Sequence, residues 1–371
     1  MDFMKAFDKV PHRRLIGKVK SYKIEEKIVE WLRNFLQDRT QIVCVNEKIS
    51  EPSPVISGIP QGSVLGPTMF IIYINDLPDI VESEVFLFAD DTKIFRHIRS
   101  EKDREILQQD LIKLCEWSRK WLVLFHPDKC KLMTVGRKEY DTSYAMIDSD
   151  GKSVPLGTTT SEKDIGVYMD GQLSFSDHIA EKVNVANRNM GIIRRTFKFL
   201  DKDMFLHLYR AQVRPHIEYA NVVWHPYKIK DIETIERVQR RATKLIPGLK
   251  DRSYEQRLRT LGLFTLAFRR LRGDLIETYK IVSGLSDPET SPDLHLLGET
   301  NTRGNGRKLE VRRADGKHML RHNFFTIRVA KVWNELPREV VWARSLDDFK
   351  NKLDRFTSDH PLRWNYKYKI D

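Results

Sequence analysis

A short apolar run, Val85-Phe86-Leu87-Phe88-Ala89, ends on two adjacent aspartates, Asp90-Asp91, and is answered by Thr92-Lys93-Ile94-Phe95. The pattern predicts a β-hairpin buried on a sheet, with Asp90-Asp91 as its turn. Two like charges at one tip repel each other. The repulsion is tolerated where a divalent cation sits between the carboxylates. The same dipeptide also serves as a plain turn, so the hairpin alone leaves both readings open.

Elsewhere the first part of the chain alternates strands with helices. Residues 11–37 read as two helices, the second with an apolar stripe of Ile24, Ile28, Trp31, Leu32 and Phe35. Residues 40–45 read as a strand followed by an Asn46-Glu47 turn, and Ser63 to Asn75 as an apolar helix. Ser100 opens a long helix, with Asp103 close to capping-box position and Leu107, Leu111, Leu114, Trp117 and Trp121 on its buried face. Further strands are expected at 131–135 and 165–168. From there helices dominate, at 176–199, 203–220, 230–246 and 253–284. This order predicts an α+β module followed by a helical one.

Charge divides the chain in the same way. Residues 1–150 hold 23 Lys/Arg against 24 Asp/Glu, whereas 151–371 hold 41 against 28, so the whole excess of +12 lies in the second half. Basic surface of this extent points to an anionic polymer, most often nucleic acid, although a solvated lysine-rich surface has the same composition. No apolar stretch is long enough to span a bilayer, and no secretory leader pattern opens the chain. Cys44, Cys115 and Cys130 have no zinc spacing and fit a reducing, intracellular compartment, cytoplasm or nucleus.

Context sharpens the hairpin. Asp2 and Asp8 stand in DFMKAFDKV, and Pro60-Gln61-Gly62-Ser63 leads into a helix before the acidic pair is reached. An acidic residue, a glycine turn opening a helix and an acidic pair on a hairpin are the parts of a two-metal nucleotidyl transferase. In order, DFMKAFDKVPHRRL, SGIPQGSVLGPTMFIIYINDLP and FLFADDTKIF resemble motifs A, B and C of the reverse transcriptases of non-LTR, LINE-type (jockey-like) retrotransposons. WLVLFHPDKCKLMTVG resembles motif D, and DIGVYMDGQLSFSDHI the primer-grip region after it. LYRAQVRPHIEYANVVWHP, IERVQRRATKLI, YEQRLRTLGL and FFTIRVAKVWNELP resemble the region after the polymerase in these elements.

The resemblance implies RNA-directed DNA synthesis, with template RNA, a DNA primer and dNTPs as partners and Mg²⁺ as cofactor, for which Mn²⁺ substitutes. Asp2, Asp90 and Asp91 match the metal-binding carboxylates, and Asp8 a neighbouring structural acid. Phe7 matches the aromatic that blocks a 2′-hydroxyl; read alone, it is a core residue. Pro60, Gln61 and Gly62 match the turn that approaches the template base and incoming nucleotide, and otherwise form an ordinary helix entry. Lys129 matches the motif D lysine that gives a proton to pyrophosphate, and His126 stands where that motif often has Asn. Only Met1 precedes Asp2, whereas the family has fingers and a strand before motif A and often an endonuclease upstream. The chain alone is therefore expected to have little activity.

The implied fold is α+β: a right-hand polymerase palm, an antiparallel sheet with helices, over 1–175 and without fingers. A helical, basic thumb-like module follows at 176–284, a linker at 285–310 and a basic, mostly helical segment at 311–371. Arg194, Arg195 and Lys198, with Arg188, form one basic row. Arg237, Arg240, Arg241 and Lys244 form another, and Arg269, Arg270 and Arg272 a third. Such rows suit the phosphates of a heteroduplex, or else are solvated helix faces. Trp224, His225 and Tyr227 read as core before base-stacking, and Trp333-Asn334-Glu335-Leu336-Pro337 carries no evident chemistry. Two rival functions remain. One is a non-catalytic nucleic-acid-binding remnant of a retrotransposon. The other, a two-metal nuclease, has no need of Phe7 or Gln61-Gly62 for nucleotide selection.

Overall fold

The computed structural model describes residues 1–136, 140, 143–297, 305–312, 321 and 323–368, which form two compact units, Met1–Thr160 and Ser161–Asp371. Both are mixtures of helices with small β-sheets, mostly antiparallel.

In the first unit, α1 (His12–Ser21) and α2 (Glu26–Leu36) pack through Leu15, Ile16 and Val19 against Val29, Leu32 and Leu36. Ile28 and Trp31 of the expected stripe stay exposed. The expected strand at 40–45 is broken. Its ends form β1 (Thr40–Gln41) and β2 (Cys44–Val45), which pair with β4 (Ser53–Pro54) and β3 (Lys48–Ile49) respectively. Asn46 and Glu47 both take positive φ, the conformation that closes a two-residue hairpin. Helix α3 (Leu65–Ile74) follows, then β5 (Glu84–Phe88) and β6 (Asp91–Phe95).

Helix α4 (Glu101–Trp121) starts where the sequence places it. Ser100 Oγ accepts from the backbone of Asp103 at 3.3 Å, and the Asp103 carboxylate accepts from Ser100 Oγ at 2.8 Å. Its buried face reaches α1 through Lys18. That ammonium lies 3.8 Å from the Trp121 ring centroid, 4.8 Å from Trp117 and 5.1 Å from Tyr73, and it pairs with Asp76. Burial lowers the pKa of Lys18, and Asp76 opposes that shift. One cation in an aromatic cage thus ties α1, α3 and α4. Farther up α4, the fully buried Asp110 accepts from the backbone and hydroxyl of Ser83 at 2.9 and 2.6 Å and from Glu82 at 3.2 Å. Burial alone would raise its pKa, but these donors hold the carboxyl low. They fix the entry to β5.

Beyond α4, β7 (Lys131–Met133) pairs in parallel with β10 (Gly157–Thr159), and β8 (Ala145–Ile147) with β9 (Ser153–Pro155) across the expected Ser149-Asp150-Gly151 turn.

The second unit begins with the hairpin β11 (Ser161–Asp164) and β12 (Val167–Asp170), which the sequence boundary at 175 assigned to the first module. Asp170 accepts from the backbones of Gln172, Ser174 and Phe175 and turns the chain into α5 (Ser176–Thr196). The helix expected at 203–220 is only α6 (Lys202–Leu208) before wider and tighter turns take over around Pro215, which has no N–H to donate. After α7 (Asn221–Trp224) and α8 (Ile229–Ala242), the helix expected at 253–284 is two. Gly262, at φ 62°, ends α9 (Tyr254–Leu261), and Thr265 caps α10 (Leu266–Val282).

Of the expected linker 285–310, residues 298–304 lie outside the described residues, and His295 and Leu297 bond to the backbone of Glu310 and Lys308. Asn305 Nδ2 donates to the carbonyls of Trp333 and Leu336, both at 3.2 Å, and Asn334 exchanges hydrogen bonds with the backbone of Leu309, both at 2.8 Å. The Trp333 to Pro337 string is therefore a clasp, with Trp333 fully buried. Of the segment 311–371, helices Phe325–Asn334 and Leu346–Phe356 are present; 313–320, 322 and 369–371 lie outside the described residues.

His178 of α5 gives this unit a pH response. Its Nδ1 accepts from the backbone of Tyr168 at 3.2 Å, and its Nε2 is buried without a partner. Burial, then Lys182, lower its pKa to about 4 from 6.5. An unfolded chain takes up this proton as pH falls below 6.5; the folded unit resists until about 4. The contribution is complete above the unfolded value and is lost as pH drops through that window, by roughly 3 kcal/mol in all. Chemical denaturation at pH 7.5 and 4.5 should show this loss, and His178→Asn, which keeps an acceptor for Tyr168, should flatten it.

Candidate active site

The segment Met1–Met4 is extended and bonded on both edges. On one side the Met1 backbone nitrogen donates to the Thr92 carbonyl at 2.6 Å, and Thr92 N returns to the Met1 carbonyl at 3.3 Å. On the other, His126 N donates to the Asp2 carbonyl at 2.9 Å and Met4 N to the Leu124 carbonyl at 2.7 Å, with Phe3 bridged antiparallel to Phe125. Backbone pairing therefore extends the β5–β6 hairpin through residues 1–4 to 124–126, four antiparallel segments in one layer. Phe3 and Phe125 stack at 4.3 Å in the core beneath it.

Reciprocal bonding between Met1 and Thr92 fixes an antiparallel register. The next pair along this ladder is Asp2 and Asp91, whose side chains share a face. The β5–β6 turn differs from expectation by one residue. Phe88 pairs with Asp91, so the turn is Ala89-Asp90 and Asp91 opens the returning strand. Ala89 takes φ 51°, a left-handed conformation unusual for a residue with a Cβ. Asp2 therefore lies on the edge-bonded segment, Asp90 in the neighbouring turn and Asp91 at the start of the strand beside Asp2. Hard carboxylate oxygens suit Mg²⁺, which keeps several waters and binds through one or two carboxylates together with phosphate oxygens. Among the described residues, no three acidic, histidine or cysteine side chains close into a cage.

Lys129 reaches Asp2. A short turn, Pro127–Lys129, follows His126, and Lys129 Nζ lies 3.7 Å from Asp2 Oδ2, with both groups well exposed. His126 Nδ1 stands 3.8 Å from Asp128.

Residues 7–12 close against the loop before α3. Ile59 N donates to the Phe7 carbonyl at 2.8 Å, Gly58 N to the Val10 carbonyl at 2.9 Å, and His12 Nε2 meets the Gly58 carbonyl at 2.8 Å. Gln61 Nε2 donates to Asp8 Oδ1 at 2.9 Å, so Asp8 orients Gln61. Gln61 and Gly62 are exposed, Pro60 half-buried. Gly62 takes φ 82° in open space, whereas sequence reasoning passed over Gly58 as the tight glycine. Gly58 has φ 93°, and a Cβ there would lie 2.7 Å from the Asp8 carbonyl oxygen. The Phe7 ring stacks on the buried Phe70 at 4.6 Å and keeps a partly open edge.

The family model for reverse transcriptase (RNA-dependent DNA polymerase) matches residues 1–200. The chain belongs to that family. Over 259 residues, 67% of the chain, it is 27% identical to the probable RNA-directed DNA polymerase from transposon X-element of Drosophila melanogaster. Over 262 residues, again 67%, it is 26% identical to the RNA-directed DNA polymerase from mobile element jockey of the same fly. It is also 30% identical over 189 residues, 48% of the chain, to the probable RNA-directed DNA polymerase from transposon BS. These alignments cover 28%, 28% and 20% of the relatives, so the chain spans under a third of their length. It is thus a reverse transcriptase family member of the jockey-like, non-LTR kind.

The basic rows of this reverse transcriptase relative separate into two sorts. Arg194, Arg195 and Lys198, at and beyond the end of α5, are exposed, as are Arg237, Arg240 and Arg241 on α8, spaced to share a face, and Lys244 just beyond its end. Among the described residues no carboxylate pairs with any of the seven. The third row differs from expectation. Arg269 is bidentate to Glu218, Arg272 is bidentate to Asp354, and Arg270 is 1% exposed. Arg269 and Arg272 thus tie distant parts of the unit together, and Arg270 is shut away from solvent. Trp224 is core, and His225 pairs with Asp274 at 2.9 Å, as the packing reading expected. No described helix is long and apolar enough to cross a membrane.

Gly58→Ala should separate the closing of this site from its carboxylates. The added methyl meets Asp8 backbone at a left-handed position, a cost of about 1–3 kcal/mol. Thermal melting should drop accordingly. Loss of the Gln61–Asp8 contact should follow in the Gln61 side-chain amide resonances, with Asp90 shifts unchanged.

Proposed function

We propose that the chain supplies the palm and thumb of an RNA-directed DNA polymerase of a mobile element, which adds dNTPs to a DNA primer 3′-end on an RNA template. The palm would occupy about 1–175 and the thumb 176–284. The observation that carries this reading is the ladder register that sets Asp2 across from Asp91, one residue from the Asp90 turn.

In this reading Asp2, Asp90 and Asp91 hold two Mg²⁺ ions, with Mn²⁺ able to replace them. When bound, the metals supply Lewis-acid activation of the primer hydroxyl and neutralise charge on the triphosphate. Asp2 and Asp91 would position them, because backbone pairing fixes the segments that carry these two carboxylates, and Asp90 would add its oxygens from the adjoining turn. Lys129 Nζ, beside Asp2, is placed to hand a proton to the leaving pyrophosphate. Phe7 lies under the sugar, where its ring, braced by Phe70, leaves no room for a 2′-hydroxyl. Gln61 and Gly62, with Pro60, face the nascent base pair. The exposed rows on α5 and α8 grip backbone phosphates without reading sequence.

Two substitutions test it. Asp90→Ala should weaken Mn²⁺ binding, read by electron paramagnetic resonance, by about tenfold or more. It should also abolish primer extension in any active form of the protein. Retained extension would overturn the metal assignment, and duplex binding with no metal affinity in wild type would favour the non-catalytic remnant. Phe7→Val, in the same active form, should admit ribonucleotides. Unchanged dNTP/rNTP selection with activity retained would return Phe7 to a purely packing role.

A further inference from the structure

The loop after α5 holds an aromatic ring out of the fold. Phe199 is 86% exposed. Its neighbours show that this is imposed by the backbone. Phe197, two residues earlier, packs on the core of the second unit and its N–H donates to the Ile193 carbonyl at 3.0 Å. Leu200, the next residue, is 6% exposed, and Asp201 caps α6 by accepting from Met204 N at 2.8 Å. With anchors on both sides, Phe199 points to solvent and covers no apolar surface of its own unit.

What surrounds it is cationic. Arg194 and Arg195 end α5, Lys198 precedes the ring and Lys202 follows it; all are exposed. The acids nearby are Asp201, occupied as a cap, and Asp203 in the first turn of α6. Ser176 Oγ, at the start of α5, donates to Asp231 in the first turn of α8 at 2.8 Å, and the two helices pack together. They start side by side, and each carries exposed basic residues toward its C-terminal end, Arg194 to Lys198 on one and Arg240 to Lys244 on the other. An exposed aromatic face within such a surface matches an unpaired strand, whose phosphates meet the cations while a base stacks on the ring. Within a duplex every base is already stacked on both faces, and only the end pairs leave one open.

We propose that Phe199, with Arg194, Arg195 and Lys198, is a stacking platform for single-stranded nucleic acid. This rests on the nucleic-acid reading above and adds the recognition of an unpaired base.

Fluorescence anisotropy of the full chain with a labelled 15-nucleotide single strand and with a labelled, loop-free duplex annealed from two complementary strands tests it. Phe199→Ala should weaken the single strand by about tenfold, leave duplex affinity within about twofold and leave the salt slope unchanged. Phe199→Trp should restore single-strand binding. Arg195→Ala/Lys198→Ala should weaken both probes and flatten the salt dependence. Equal affinity of Phe199→Ala and wild type for the single strand, or equal loss on both probes, overturns the platform alone. If wild type binds neither probe at low salt, the nucleic-acid reading itself falls, and the platform with it.

Discussion

An extended strand inside a fold must have its N–H and C=O groups bonded on both edges, because a buried unpaired amide costs as much as a lost hydrogen bond. Residues 1–4 meet this demand with Thr92 on one edge and Leu124 to His126 on the other, and the turns that follow are held at Gly58-Ile59 where the chain leaves the layer. Everything proposed for the site follows from that pairing. It sets Asp2 against Asp91, brings Lys129 to Asp2 through the turn after His126, and places Phe7 against Phe70. Asp110 and Lys18 act one layer away, one fixing the entry to β5 and the other holding three helices around it.

Elements with strong periodicity or a cap were legible in the sequence. The β5–β6 hairpin, α4 behind Ser100 and α5 lie within a few residues of expectation, because alternation, capping chemistry and the helical stripe each act locally. What failed depended on partners far away. The run 40–45 has strand composition, but Ile42, Val43 and Val45 are exposed and its ends pair separately. Helices drawn through Pro215 and Gly262 ignored a missing donor and a left-handed cap. The acidic turn was displaced because Ala89, not an aspartate, takes the positive φ. Within the site, motif order pointed to the three carboxylates and Gln61. Gly58 was missed because only the approach of Asp8 makes its missing Cβ matter, and Phe199 because exposure is invisible in a loop.

Charge counting misleads in a particular way in the second unit. Its excess of arginine divides between surface and interior. Arg270, Arg257 and Arg363 are buried, and Arg328 is bidentate to Asp274 while also donating to the Val222 and Asn323 carbonyls. A planar guanidinium can serve several acceptors at once in fixed directions, which suits it to join helices. The exposed rows toward the ends of α5 and α8 belong to the surface share of that excess.

The clasp at the end of the second unit has a chemical lifetime. Asn305 is followed by Gly306, at φ 74°, and an asparagine before glycine is the dipeptide most prone to lose its side-chain amide through attack by the next backbone nitrogen. Burial and the two bonds from Nδ2 to the Trp333 and Leu336 carbonyls hold the amide away from that attack while the unit is folded. Conversion to aspartate would set an anion against two carbonyl oxygens. A long interval spent unfolded would therefore leave a permanent mark, one that costs the C-terminal segment two of the bonds that close it.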